Sequence, residues 1–299
     1  MKLDQMDFIT ALEQLAALCG MELPQTEQQQ DDYKQQKPLY SINKQASDYY
    51  YEELKKSPNA IDYLKKRGVS GQTAKFFQLG YAKTGWQNLC DTFKDKHSLL
   101  QQAGLALASQ KKHSYYDRFR DRLIFPVRDH RGKSVAFGGR TLTEEIPKYL
   151  NTSETAIFRK SDILYGLYEA KQSLGKLDKI LVVEGYMDVI SLYEHGIKYA
   201  VATLGTAFNK KHIILMLKQC RQLFFCFDGD EAGKKAAWKA LSIALPFMQD
   251  GIHMKFVFLP NEQDPDDMVR AVGKTAFEKQ LSQALTIDDF FFNELQRQH

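Results

Sequence analysis

The sequence predicts an α/β fold: a parallel sheet with helices on both faces, preceded by a mixed α/β subdomain and followed by a C-terminal helical segment. Two observations carry this. From residue 178 four short apolar runs recur, "KILVVEG", "KYAVATLG", "QLFFCFDG" and "MKFVFLP", each of strand length. Helical patterns at 186–195, 209–220 and 231–248 separate them. Strands joined by helical crossovers lie parallel and are covered on both faces.

The upstream elements are less regular. Residues 3–19, "LDQMDFITALEQLAALC", have the apolar spacing of a short amphipathic helix, with Gly20 as its stop. Residues 24–37, "PQTEQQQDDYKQQK", are Gln-rich without apolar period and read as a linker. Helical stretches span about 41–66. "RLIFPVRD" and "SVAFGGRTL" read as strands joined by a turn at "HRG". An acidic turn, "DPDD", then opens the terminal helical segments. The expected divisions are 1–39, a tail and linker; 40–175, a basic subdomain; 176–262, the parallel-sheet domain; and 263–299, a helical end.

Composition sets the class. The 299 residues are 43% hydrophobic and 26% charged, which suits a folded chain with a substantial core. No apolar run approaches the ~20 residues of a membrane span, and no signal-peptide pattern opens the sequence, so no membrane association is expected. Cys19, Cys90, Cys220 and Cys226 form no CxxC pair; free thiols in a reducing cytoplasm are the expectation. The net charge of +4 decides little, but its distribution is uneven. Nine Lys or Arg against three Asp lie between Lys111 and Arg140, whereas carboxylates gather at 228–231 and 264–267. A basic half beside an acidic pocket suits a polyanion held against metal ions.

The acids carry the chemistry. Sites in parallel sheets form beyond the carboxyl ends of the strands. Glu184 closes the first run and Asp228 the third; Asp230 follows across Gly229, while Asp264 and Asp266 follow the fourth. Carboxylates packed together repel unless one is protonated or a cation sits between them. Cys226 shares a strand face with Asp228 but lies two residues deeper, where a packed thiol is the simpler reading. Oxygen-only ligation favours Mg²⁺ or Mn²⁺ over Zn²⁺. Taken singly, "DGD" and "DPDD" could each be no more than an acidic helix start, with Pro265 in the first turn. Asp188 could support a ligand from behind or serve as a first-turn acid. The joint arrangement is what points to metal-dependent phosphoryl chemistry.

"VVEGYMDVISLYEHG", "AVATLGTAF", "FDGDEAGKKAAW" and "DPDDMV" resemble the TOPRIM domain shared by primases, topoisomerases and some nucleases. "YDRFRDRLIFPVRDHRGKSVAFGGR", then "PKYLNTSET" and "LYGLYEAK", resemble the basic part of the bacterial DnaG-type DNA primase, and the likeness runs over most of 40–285. The resemblance implies a DNA-directed RNA polymerase, a nucleotidyltransferase that makes RNA primers on single-stranded DNA from ribonucleoside triphosphates. It implies two or more Mg²⁺ or Mn²⁺ ions on Glu184, Asp228, Asp230, Asp264 and Asp266. It assigns Arg67, Arg140, Lys148 and Lys160 to template or nucleotide binding. Arg118 and Arg120, with Arg122, would put three guanidiniums on one face if they lay on a strand.

The family's zinc-binding domain needs a Cys/His cluster that this sequence lacks, so zinc is not expected, and residues 1–23 resemble only the tail that follows that domain. The resemblance further implies a cytoplasmic monomer at the replication fork, meeting the replicative helicase through a domain outside this chain. Two other readings stand beside it: a TOPRIM nuclease or topoisomerase-like DNA-cleaving enzyme, and a metal-dependent nucleic-acid-binding module without turnover.

Overall fold

The computed structural model describes residues 27–109, 114–144, 146–205, 208–227, 231–260 and 263–298. The expected helix at 3–19 lies outside them, as does the resemblance drawn for 1–23. The chain divides into two compact units, Met1–Pro38 and Leu39–His299. Of the first, the described part is the beginning of helix α1 (Glu27–Lys55). Most of the segment read as a linker is therefore helical. Gln, Glu and Lys lose little rotamer freedom in a helix, so a polar run without apolar period can still extend one.

In the second unit, α1 is followed by α2 (Pro58–Lys66), which has Pro58 at its first position. Next comes α3 (Gly71–Phe76), where the Ser70 hydroxyl caps the Thr73 amide at 3.1 Å. Strand β1 (Gly80–Ala82), α4 (Asn88–Thr92), α5 (His97–Gln102), and a hairpin of β2 (Ala106–Ala108) with β3 (Tyr115–Asp117) follow. Then β4 (Arg122–Arg128), β5 (Ser134–Thr141) and β6 (Tyr149–Asn151) complete an antiparallel sheet in the order β1-β4-β5-β6. Pro126 fits within β4 because β1 pairs only as far as Ile124, so the missing amide faces no partner strand there.

Helix α6 (Leu167–Leu174) leads into the second sheet. It contains β7 (Lys179–Val183), β8 (Ala200–Ala202), β9 (Gln222–Phe227), β10 (His253–Phe258) and β11 (Leu285–Thr286). The order is β11-β10-β9-β7-β8, and only β11 is antiparallel. Helices α7 (Tyr186–Glu194), α8 (Lys210–Leu217) and α9 (Glu231–Ala244) are the crossovers, and α10 (Pro265–Ser282) and α11 (Ile287–Gln298) close the chain.

The predicted parallel sheet is thus present, and its strands are mainly apolar because most of both faces is covered, with Lys179, Gln222, His253 and Lys255 as polar exceptions. Leu181 and Val183 turn into one core with α7 residues Val189 and Ile190; Ile180 and Val182 turn into another with Ile213 and Leu241. Each such side chain contributes roughly 1.5–3 kcal/mol by leaving water.

Register fixes where the strands deliver their ends. Val183 pairs with Ala202, Val182 with Phe225, and Phe227 with Phe258. Continuing the β7–β9 register, Glu184 stands level with Phe227. The segments after β7, β8, β9 and β10 therefore all leave from one edge of the sheet.

Candidate active site

Glu184 follows the last residue of β7 and is exposed. It lines a cleft of about 230 Å³ at that edge with Thr203, Gly205, Phe208, Phe227 and Lys239. The turn behind it is held rigidly. Asp188, buried at the third position of α7, accepts from the Gly185 amide at 2.8 Å. Gly185 has no side chain to return the bond, so the carboxylate alone stops this helix start. Asp188 is thereby accounted for as the residue that fixes the turn after Glu184. Asp228 and Asp230 lie outside the described residues.

The segment after β10 supplies a second acidic group. Asp264 caps α10, its Oδ1 accepting from the Asp267 amide at 2.7 Å. Oxygens of Asp264, Asp266 and Asp267 all fall within 4.8 Å of one another. Burial, together with the neighbouring charges of Asp267 and Asp266, holds the Asp264 carboxyl above its ordinary range. Crowding of this kind is what a divalent cation relieves, and the donors are all oxygen, which suits Mg²⁺ or Mn²⁺. Asp266 differs from Asp264. It is buried, and its two oxygens accept from different arginines: Oδ2 from Arg67, and Oδ1 from Arg270 Nε at 2.9 Å.

Arg67, at the end of α2, therefore meets the acidic turn that opens α10. Its guanidinium lies 5.9 Å from the Tyr63 ring, and that of Arg140 lies 5.1 Å from the same ring and 5.4 Å from Tyr149. Arg140 also donates to the Tyr149 hydroxyl at 3.0 Å. Two of the predicted basic residues thus share one aromatic partner, and one of them touches a predicted acid. Lys148 is exposed on the turn before β6. Lys160 begins a short helical turn, Lys160–Asp162, whose first carbonyl accepts from buried His212 at 3.1 Å. The Nδ1 of His212 faces the Asn209 amide nitrogen at 3.2 Å, so Nε2 carries the proton.

The arginine row does not form the single face that a strand would give. Residues 118–121 belong to no strand, and Asp121 sits at φ 49°, which turns the chain before β4 begins. Arg118, whose ionisation burial weakens, donates to the Asn151 carbonyl through Nε at 3.0 Å and Nη2 at 2.7 Å. Arg120 donates to the Asp117 carbonyl. Arg122 is buried against the carbonyls of Pro147, at 2.9 Å, and Lys148.

Arg120 has another partner that sequence reasoning missed. Its guanidinium stacks 4.3 Å from the Trp86 ring and 5.8 Å from Tyr116. Trp86 is 64% exposed, unusual for so large a side chain. No local pattern around Trp86 announces this, because the partner lies far along the chain.

Comparison with known proteins identifies what the chain and its fold resemble. Residues 49–171 match the family described as DNA primase catalytic core, N-terminal domain, and residues 181–269 match the Toprim-like family. The chain is 46% identical to the DNA primase of Pseudomonas putida over 98% of its own length and 46% of that protein. It is 42% identical to the DNA primase of Escherichia coli strain K12 over its full length and 52% of that protein. It spans about half the length of the curated relatives it matches. The solved structure of a DnaG primase catalytic domain bound to ssDNA superposes with a TM-score of 0.84 at 44% identity, over 89% of this chain and 84% of that one.

Proposed function

The chain belongs to the bacterial DnaG-type DNA primase family as its RNA polymerase core, and from this we propose that it synthesises short RNA primers on single-stranded DNA from ribonucleoside triphosphates. The observation that carries the reading is the pairing of Arg67 with Asp266, at the start of the helix that leaves the same edge of the sheet as Glu184.

In the proposed reaction a nucleotide's 3′-oxygen bonds to the α-phosphorus of the incoming triphosphate. The α–β phosphoanhydride bond breaks, pyrophosphate departs and the hydroxyl proton passes to solvent. Mg²⁺ or Mn²⁺ bound by Glu184, Asp228 and Asp230, with Asp264 towards the triphosphate, would supply an acidified hydroxyl and charge neutralisation on the leaving group. We assign Asp266 to orienting Arg67, since both its oxygens already accept from arginines.

Arg140, Lys148 and Lys160 neutralise phosphate charge, and Arg140, held against Tyr63 and Tyr149, spares the reaction orientational entropy. Arg118 and Arg120 track the template backbone, while Trp86 and Tyr116 offer it a stacking platform beside Arg120. The chain acts as a cytoplasmic monomer, and coupling to the replicative helicase falls to a domain outside it. Among the described residues no helix is long and apolar enough to cross a membrane.

Incorporation of labelled ribonucleotides on single-stranded DNA, with Mg²⁺ and Mn²⁺ in separate reactions, tests the proposal. Template-dependent product that disappears in Asp228→Ala supports it. Cleavage of the DNA without incorporation would support a nuclease. Tight binding with no product under either ion would leave a binding module.

A further inference from the structure

One residue of the basic subdomain reaches the loops of the parallel sheet through every polar atom of its side chain. Asn151 ends β6, paired with Gly138 of β5. Its Oδ1 accepts from the Tyr186 hydroxyl at 2.7 Å, and its Nδ2 donates to the Leu204 carbonyl at 3.0 Å, in the loop after β8. A carbonyl can only accept, so the amide nitrogen must face Leu204 and the amide oxygen Tyr186. Asparagine is suited to this position because it offers one donor and one acceptor side by side. Aspartate has no donor for Leu204 when ionised.

Tyr186 is the far end of the bridge. It begins α7, two residues after Glu184, and its ring is driven into the antiparallel sheet. The ring stacks on Phe125 at 4.9 Å, and it lies so close to Gly138 that any side chain there would overlap it. The Asn151 backbone carbonyl, meanwhile, accepts from Nε and Nη2 of Arg118. A continuous chain of contacts therefore runs from a template-facing arginine, through Asn151 and Tyr186, to the turn that carries Glu184.

We propose that Asn151 is a positioning residue: with Tyr186 it locks the basic sheet to the catalytic edge and sets where Glu184 stands relative to the template. The inference rests on the primase reading for its catalytic consequence, but the lock itself is structural and can be observed without turnover. Phosphoryl transfer depends on sub-ångström placement, so a loosened lock lowers the chemical step while leaving DNA binding in place.

The test compares wild type with Tyr186→Phe, Asn151→Ala and the double variant. Tyr186→Phe keeps the packed ring and loses only the hydroxyl, so the fold is retained. Two measurements are made on each protein: amide hydrogen exchange of 183–189 and 137–140, and kcat and KM for nucleotide incorporation at saturating DNA. The lock predicts that each single variant speeds exchange in both segments by about tenfold, the scale of one lost hydrogen bond. It also predicts a fall in kcat of about tenfold, with DNA affinity within about twofold of wild type and a double variant no worse than Asn151→Ala alone.

Normal exchange in Tyr186→Phe and Asn151→Ala overturns the lock, whatever the rates. Reduced kcat in Asn151→Ala with unaltered kcat in Tyr186→Phe also overturns it, because Asn151 would then act on substrate directly. If wild type incorporates nothing yet exchange in both segments rises together, the primase reading fails and the lock stands.

Discussion

Arg67 and Asp266 form an ion pair across 199 residues of sequence, and Arg270 holds the other oxygen of the same carboxylate. The Asp266 side chain is 2% exposed and that of Arg67 25%. A buried carboxylate that loses one of two cationic partners is left under-solvated. Arg67→Ala is therefore expected to lower stability by about 1–3 kcal/mol, read as a shift of the urea midpoint. Arg67→Lys should recover only part of this, since an ammonium lacks the guanidinium's fixed donors. An unchanged midpoint in Arg67→Ala would mean that Arg270 alone satisfies Asp266.

Asp264 gives a prediction with a definite sign. Its carboxyl lies above its ordinary range in the folded chain, through burial first and then the charges of Asp267 and Asp266. The folded state therefore holds that proton more tightly than the unfolded state does. The resulting stabilisation is complete below the ordinary carboxylate pKa of about 3.9 and is lost as pH rises through the raised value. At neutral pH the ionised group opposes the fold. Asp264→Asn keeps the cap on Asp267 and removes the charge, so it should raise Tm at pH 7 to 8, by an increment that shrinks towards pH 4. Thermal unfolding across that range checks it.

Gly138 owes its identity to Tyr186. A Cβ there would overlap the Tyr186 ring, so Gly138→Ala should cost about 1–3 kcal/mol through overpacking. Gly71 has open space at the same position and a helical backbone. Gly71→Ala should therefore be neutral or slightly stabilising in the same unfolding measurement.

The Trp86 platform and the lysines should separate in salt dependence. Trp86→Ala is expected to weaken single-stranded DNA binding by about 1–3 kcal/mol without altering the slope of log K against log salt. Lys148→Ala should reduce that slope by about 0.7, one phosphate contact on a single strand. Fluorescence anisotropy at several salt concentrations distinguishes them.

What could be read from the sequence followed from local physics. The four parallel strands were legible because continuous apolar runs between helical patterns have few other solutions. Glu184 at the sheet edge was legible because a charged residue closing such a run must leave the core. The Gln-rich segment was misread because apolar period marks a packed helix rather than a helix as such, and α1 begins at Glu27 regardless. The arginine row failed because alternation implies a shared face only on a regular strand, and the turn at Asp121 ends that regularity. The Arg67–Asp266 pair, the Trp86–Arg120 stack and the Asn151 bridge join residues distant along the chain. Only folding brings them together, and no spacing rule anticipates them.

The central claim, that acids at the carboxyl edge of the parallel sheet carry nucleotidyl transfer, is tested most directly at Glu184. Because this side chain is exposed, Glu184→Gln should leave Tm and DNA affinity close to wild type. Ribonucleotide incorporation at matched DNA occupancy should then fall by at least about a hundredfold in both Mg²⁺ and Mn²⁺, the loss expected when an electrostatic contact to the reacting phosphate is removed. Incorporation by Glu184→Gln at the wild-type rate would contradict the claim.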